Sequence, residues 1–483
     1  MKNRNRNILI SCLVLVLTAC LILSCISIGS GMLWLNQTTQ GETAQNEAIP
    51  QTQSAIPTPK MENQAPTPAD TEPAEPSPNP EESPANPPED ASISPEIARQ
   101  MDEIQMQVVT ARGLKPNAVV DRKLYTPEQL RAKIIQDFEE DYSPEDARTD
   151  ARVLAAFGLL NPDFDIYNFY IDLLAEQVGG YYDQETKEMV VVQGAEFGGV
   201  ERMTYAHEYT HALQDQNYDI ENGLNYNDDA CDADPERCAA VQALIEGDAT
   251  LSGLNWFTEH ATQEDYDSMM EFYDSFQSPV YDSAPDFIAL DFTFPYEYGL
   301  AFVQSLYNTG GWGSVDLTYQ NLPQSTEQII HPSRYPDDTP LPVTLPDFAA
   351  LLGSGWEEID RGTMGEWYTY LILAKGLDEK ARLDEETAAS ATEGWGGDAY
   401  AVYYNAQSGQ TMMVLHTVWD TEAEADEFAA AFRAYADARF DSSAPDVWAG
   451  PDGIHTFHQS DAATTWILAP DAETAEAVWE SVP

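Results

Sequence analysis

Basic residues are scarce. The 483-residue chain carries 23 Lys and Arg against 82 Asp and Glu, a formal charge of -59, and such a surface repels the phosphates of nucleic acid. Nucleic acid is therefore excluded as a partner. Histidine is also sparse, with seven in the chain, and there are five cysteines, so a site built from either type has few places to form. Large apolar residues nearly vanish between Asn36 and Asp90, where twelve prolines stand among Glu, Thr, Ala, Gln and Asn. No packed core can form there, and residues 36–90 are expected to be a disordered, polyproline-II-like stalk of at most ~170 Å at ~3.1 Å per residue. Elsewhere the hydrophobic content, 43% overall, suffices for packed cores, so the acidity belongs to the surface of a folded protein.

The amino terminus adds an address. Residues 1–7 are a basic flank with Lys2, Arg4 and Arg6, and residues 8–35 are apolar enough to span a bilayer. Positive charge on the amino side predicts that the remainder faces outward. Leu17-Thr18-Ala19-Cys20 is similar to a bacterial lipobox, which would lipidate Cys20, but the apolar run continues past it and favours an uncleaved signal anchor. Either device tethers the protein to the cell membrane, single-pass or lipid-anchored, with its globular part extracytoplasmic. In that compartment Cys231 and Cys238, with six residues between them in an acidic loop, read as a short disulfide clamp, since zinc-type pairs are usually closer.

The length calls for two globular units. Helical spacing from Ile97 to Val109, a second helix opened by Thr126-Pro127-Glu128-Gln129, an amphipathic stretch from Asp163 to Gln177 and a β-hairpin over 179–192 belong to the first, residues 91–355. After about Gly355 a helix and then the order strand-strand-helix-strand-strand-helix predict a smaller α+β domain over 356–483. His416, His455 and His458 fall on its predicted strands and, like His260, are expected to be structural.

The chemistry concentrates in His207-Glu208-Tyr209-Thr210-His211. Residues four apart share one helix face, so both imidazoles can bind one metal ion, while Glu208 is rotated about 100° away and can reach a bound water without being a ligand. Val200 to Gln216 lacks Pro and Gly, as a helix requires. A catalytic zinc takes three protein ligands and keeps an open position. Glu246, in Ala243-Leu244-Ile245-Glu246-Gly247-Asp248-Ala249, is the candidate third. Val241, Leu244, Ile245 and Ala249 make an apolar stripe on that segment, and Asp248 lies on it. A carboxylate there needs a partner, for which the free N–H of a ligand histidine is a candidate. Asp215, four residues after His211, is the rival for that role. Gly247 would let two helices approach closely.

The histidine pair, the glutamate between them and the downstream Glu-Gly-x-Ala resemble the gluzincin metallopeptidases. More narrowly, the run His207 to Gln216, with Glu246 to Ala249 and Ser325 to Pro332, resembles a set of predicted secreted or membrane-anchored bacterial proteins, over roughly Ile97 to Tyr335. The resemblance implies an α+β fold: a mainly helical zincin-like core with a small sheet, whose edge strand, here Met189 to Val192, precedes the zinc helix and pairs with an extended peptide. It also implies Zn2+ as cofactor, a peptide or protein substrate, hydrolysis with Glu208 as general base, and a later His or Tyr as oxyanion donor. His331, Tyr298 and Tyr296 are the candidates for that donor. The competing reading is a non-catalytic, surface-anchored binding protein with a structural or latent zinc site; structural sites usually close with Cys or a fourth ligand, and none is apparent.

Overall fold

In the computed structural model, which describes residues 93–177, 179–192 and 197–483, helices start where capping residues stand. Ser94 caps the first helix, Pro95–Arg112, accepting the Ile97 N–H, and Gly113 ends it at φ 88°. Thr126 with Gln129 and Ser143 with Asp146 form capping boxes on Pro127–Asp141 and Pro144–Ala156, each with proline in its first turn, where the missing N–H costs nothing. The basic flank, the apolar run and the stalk lie outside the described residues. Among the described residues no helix is long and apolar enough to cross a membrane.

The architecture is mixed α+β. A three-stranded sheet has the order Asp121–Tyr125, Glu188–Val192, Gly180–Asp183, with the first pair parallel and the second antiparallel. Met189–Val192 is thus the central strand and not the edge. The segment Asp-Arg-Lys-Leu-Tyr at 121–125, whose charges hide any strand alternation, takes one side, and Gly180–Asp183 is left as the edge facing the helices.

Behind this sheet lie three long helices. The motif helix, Gly199–Tyr218, packs on the glutamate helix, Pro235–His260, which packs in turn on a third helix, Asp286–Gly310. The close approach made by Gly247 is to this third helix: a Cβ there would lie 2.1 Å from the Gly299 carbonyl oxygen, and a Cβ on Gly299 would lie 2.1 Å from that of Ala243. Two backbones meet without side chains between them. Against the motif helix it is Gly253 that faces His207.

The carboxy-terminal part is a seven-stranded antiparallel sheet in the order Trp356–Gly362, Trp395–Asn405, Gln410–Trp419, Ala463–Ala469, Ile454–Ser460, Val447–Ala449, Asp441–Ala444. Alternation along its strands sends Tyr400, Val402, Met413, Leu415, Trp466 and Leu468 to one face and Ala401, Tyr403, Met412, Val414 and Ile467 to the other. The first face packs on Glu422–Arg439 and, through Phe157 against Tyr400 and Trp466 at ring distances of 5.5 and 6.0 Å, on the amino-terminal helices. The second lies under Phe348 and the last helix, Ala472–Trp479. The order read from the sequence includes a helix after Gly355, found at Gly365–Lys375, and omits Trp356–Gly362 and the short hairpin 441–449. All four residues of Asp441–Ala444 are exposed, so that strand carries no apolar alternation to read.

Candidate functional site

The motif helix is held on every side. Glu201 closes its first turn on the Gly198 N–H, Arg202 binds both oxygens of Asp265, and the Thr210 hydroxyl meets Ser252 of the glutamate helix at 2.9 Å. One turn apart, His207 and His211 bring their Nε2 atoms to 2.9 Å, and the Glu246 Oε2 lies 3.2 and 3.3 Å from them. An ion bonded at ~2.0–2.1 Å to three tetrahedral donors would hold those donors roughly 3.3 Å apart. The triangle therefore has the size that a small metal ion requires.

The protonation state agrees with that geometry. The Gln214 amide nitrogen donates to the Ile245 carbonyl at 2.9 Å and faces Asp248 at 3.1 Å, which leaves Gln214 Oε1 to accept from His211 Nδ1 at 2.8 Å. His211 is then protonated on Nδ1, and its Nε2 lone pair faces the triangle. His207 Nδ1 is buried with no hydrogen-bond partner among the described residues. Without an ion, burial resists charge on His211, but Glu246 beside the ring overcomes it and raises the pKa to about 9. Burial likewise resists charge on Glu246, and the two imidazoles outweigh it, lowering that carboxyl to about 2. A cation is favoured at this spot, whether proton or metal.

Glu208 belongs with the two histidines: the three offer ligand atoms within 4.8 Å of one another. It is buried, and its Oε2 accepts the Tyr182 backbone N–H of the edge strand at 2.9 Å. Burial raises its pKa, the two imidazoles pull it down and Glu246 pushes it up, for a net rise. A carboxylate displaced in this direction is suited to taking a proton.

The other residues singled out from the sequence are placed differently. Asp248 touches neither histidine. It lies behind Gln214, receiving Arg112 Nε at 2.6 Å, Arg112 Nη2 at 2.9 Å and the Tyr319 hydroxyl at 2.8 Å. Asp215 accepts the Tyr182 hydroxyl at 2.8 Å and Lys187 Nζ at 2.7 Å, so it holds the hairpin and not a histidine. The acid-to-histidine link predicted for either residue is made instead by Gln214, a longer neutral side chain on the motif helix itself. His331 pairs with Glu366 at 2.8 Å, an interaction that raises its pKa, and Tyr298 stacks between Phe294 and Trp367. Neither has a described contact with the histidine pair. Cys231 and Cys238 form a disulfide that ties the short helix Asp228–Ala233 to the start of the glutamate helix.

Two tyrosines stand at the site. Tyr296, on the third helix, is buried with its ring centroid 6.4 Å from that of His207. Tyr226 lines a cavity of about 20 Å³ together with His211, Glu246 and Tyr182. Its hydroxyl is buried with no hydrogen-bond partner among the described residues, and burial, then Glu246, keeps it protonated. Sequence reading had no signal for Tyr226, which sits in a polar loop twenty residues before Glu246.

A second acidic group, Glu327, Asp338 and Asp420, already holds a cation. Arg334 reaches Asp338 and Asp420 at 2.8 Å and Glu327 at 3.1 Å. The remaining histidines pack structurally: His455 stacks on Phe440 and meets Asp452, His416 meets Thr465, His458 stacks on Trp479, and His260 lies near Trp256.

Residues 352–479, which hold the seven-stranded sheet, match the family described as a domain of unknown function (DUF8575). No curated protein and no solved structure matches the chain.

Proposed function

We propose that this chain is a zinc-dependent peptidase of gluzincin type, tethered to the membrane by its amino terminus and acting outside the cytoplasm. The observation that carries the reading is the triangle of His207, His211 and Glu246 with Glu208 beside it. Three donors, two imidazoles and one carboxylate, suit zinc and leave a coordination position open. The Cys231–Cys238 disulfide is in keeping with an oxidising compartment.

Zinc held there would lower the pKa of a bound water toward ~7 and polarise a scissile carbonyl. The remaining work falls to the chain. Glu208, steadied by the Tyr182 N–H, accepts the water's proton and returns it to the leaving amine. Gln214 fixes the His211 tautomer, and Asp248 with Arg112 holds Gln214 in place. Tyr226, with its free hydroxyl in the same cavity, supplies the hydrogen bond to the oxygen that becomes negative. Gly180–Asp183, as the sheet edge on the Glu208 side, offers backbone to an extended peptide.

The test is zinc content and hydrolysis of a peptide pool by the purified protein and its Glu208→Gln variant. About one zinc in each, with hydrolysis falling by roughly 10²–10⁴ in the variant, is the expected result. Protein that takes up no zinc refutes the reading, as does a variant as active as its parent.

A further inference from the structure

Gln242 and Tyr296 each face two ways. Gln242 lines the small cavity beside His211 and Glu246 and also a second cavity of about 60 Å³, and Tyr296, close to His207, lines the second as well. On the glutamate helix, Glu236, Ala239, Gln242 and Glu246 recur at helical spacing, so the second cavity runs along the stripe that ends at the metal triangle.

Its walls are aromatic, with Phe292, Phe294, Trp367 and Tyr368 among them, and among the described residues it is lined by two carboxylates, Asp291 and Glu236, and no basic residue. Asp291 receives Trp367 Nε1 at 2.9 Å and the Tyr368 hydroxyl at 2.7 Å, one donor on each oxygen, so each oxygen keeps a further lone pair. The third helix adds another acceptor. Pro295 stands inside it and lines the cavity, and proline has no N–H to give to the carbonyl four residues back, which is that of Asp291. Glu236 forms the far end, buried against Gly365 and bonded to the Thr326 N–H and hydroxyl. Burial with no cation nearby raises Asp291 to about 6 and Glu236 to about 8.

We propose that this cavity is the specificity pocket of the peptidase and takes the side chain of a lysine next to the scissile bond, with Asp291 as the counter-ion of its ammonium group. The inference rests on the peptidase reading above. Aromatic walls suit the methylenes and attract the cation. The size is of the right order: about 60 Å³ at ~15 Å³ per water-sized group holds about four such groups, close to the ~5 non-hydrogen atoms of a lysine chain and well short of the ~7 of arginine. The reach agrees too. Asp291 is five residues from Tyr296, or about 7.5 Å along the helix at ~1.5 Å per residue, comparable to an extended lysine side chain.

The test compares peptides that differ only in lysine or norleucine, its uncharged counterpart of similar length, at the positions flanking the cut, in the parent and in Asp291→Asn. The parent should prefer lysine by about tenfold or more in kcat/KM, the scale of one charge-assisted hydrogen bond. Asp291→Asn, which can still accept from Trp367, should bring the ratio near one. Equal or better cleavage of norleucine by the parent overturns the proposal, leaving an apolar pocket, and so does a lysine preference that survives Asp291→Asn. A second readout needs no activity: n-pentylamine, compared with n-pentanol, should raise the melting temperature of the parent and not of Asp291→Asn. If no peptide is cut, that shift keeps the ammonium site while the peptidase reading falls; no difference between amine and alcohol removes the site whether or not peptides are cut. Ala239→Leu, which fills the cavity without touching either carboxylate, should abolish the amine shift while zinc content stays at the parent's level. An amine shift that persists in this variant places the amine elsewhere and overturns the proposal.

Discussion

Replacing Asp248 by alanine should destabilise the fold by about 3–5 kcal/mol, the cost of leaving a buried charge without its partner. Arg112 and Asp248 are both 0% exposed. The carboxylate takes two bonds from Arg112, one from Gln214 and one from Tyr319, at 2.6–3.1 Å. Without it the guanidinium keeps its stacking on Trp312 and one ion pair to Asp316, whose side chain is 41% exposed. Alanine is the best helix former, so the glutamate helix itself loses nothing at that position. The assay is urea unfolding followed by circular dichroism, with a chelator present so that metal affinity does not enter. Arg112→Met with Asp248→Leu is the control: removing both charges should recover most of the loss. An Asp248→Ala protein within about 0.5 kcal/mol of the parent, or a double variant as unstable as the single, would refute the argument that the buried charge is responsible.

Gln214→Leu removes the acceptor that fixes the His211 tautomer, and zinc affinity measured by competition with a coloured chelator should fall about 10–100-fold; unchanged affinity would mean that the amide does not orient the ring. Tyr226→Phe should keep its zinc and lose roughly 10²–10³ in kcat, whereas a rise in KM alone would make the hydroxyl a substrate contact only. Glu236, moved by burial from 4.5 to about 8, favours folding in its protonated form. Its contribution is complete below pH ~4.5 and is lost as the pH climbs to ~8, by up to ~1.4 kcal/mol per unit. Stability should therefore fall across that window, and Glu236→Gln should flatten the fall; an equal slope in both proteins would dismiss Glu236 as its source.

What could be read along the chain was what is local to it. Helical spacing announced Pro95–Arg112, a capping threonine and proline announced Pro127–Asp141, and strand-like segments were read around 400–405, 412–419 and 464–469. The strand Asp121–Tyr125 escaped because only its place beside Glu188–Val192 makes it one, and that insertion turned an expected edge into a centre. The same division runs through the site. His207, Glu208 and His211 share one helical turn, and a fixed spacing specifies them. Glu246 and Asp248 stood out because acids on an apolar stripe need partners, but the stripe does not say which ones: Glu246 is brought to the imidazoles, and Asp248 to an arginine 136 residues away. Tyr226, Gln214 and Arg112 carry no signal in isolation, since tyrosine, glutamine and arginine are ordinary residues until tertiary packing aims them.

Local spacing could not choose between His331, Tyr298 and Tyr296 for the same reason. The crossing of the three long helices separates two of these tyrosines. Gly247 and Gly299 let the glutamate helix and the third helix touch backbone to backbone, and this depth of contact brings Tyr296 up to His207 while Tyr298, two residues on, turns away to Phe294 and Trp367. It also sets Asp291 and Pro295 along the stripe of Ala239, Gln242 and Glu246, so that one helix crossing fixes both the wall behind a metal ligand and the wall of the adjacent cavity. Loosening that crossing would therefore move the cavity and the triangle together, while the edge strand holds Glu208 by the Tyr182 N–H. In the proposed reaction, specificity and metal geometry are then coupled through the glycine contact, and the general base, carried on the same helical turn as the two histidines, takes a further bond from the sheet.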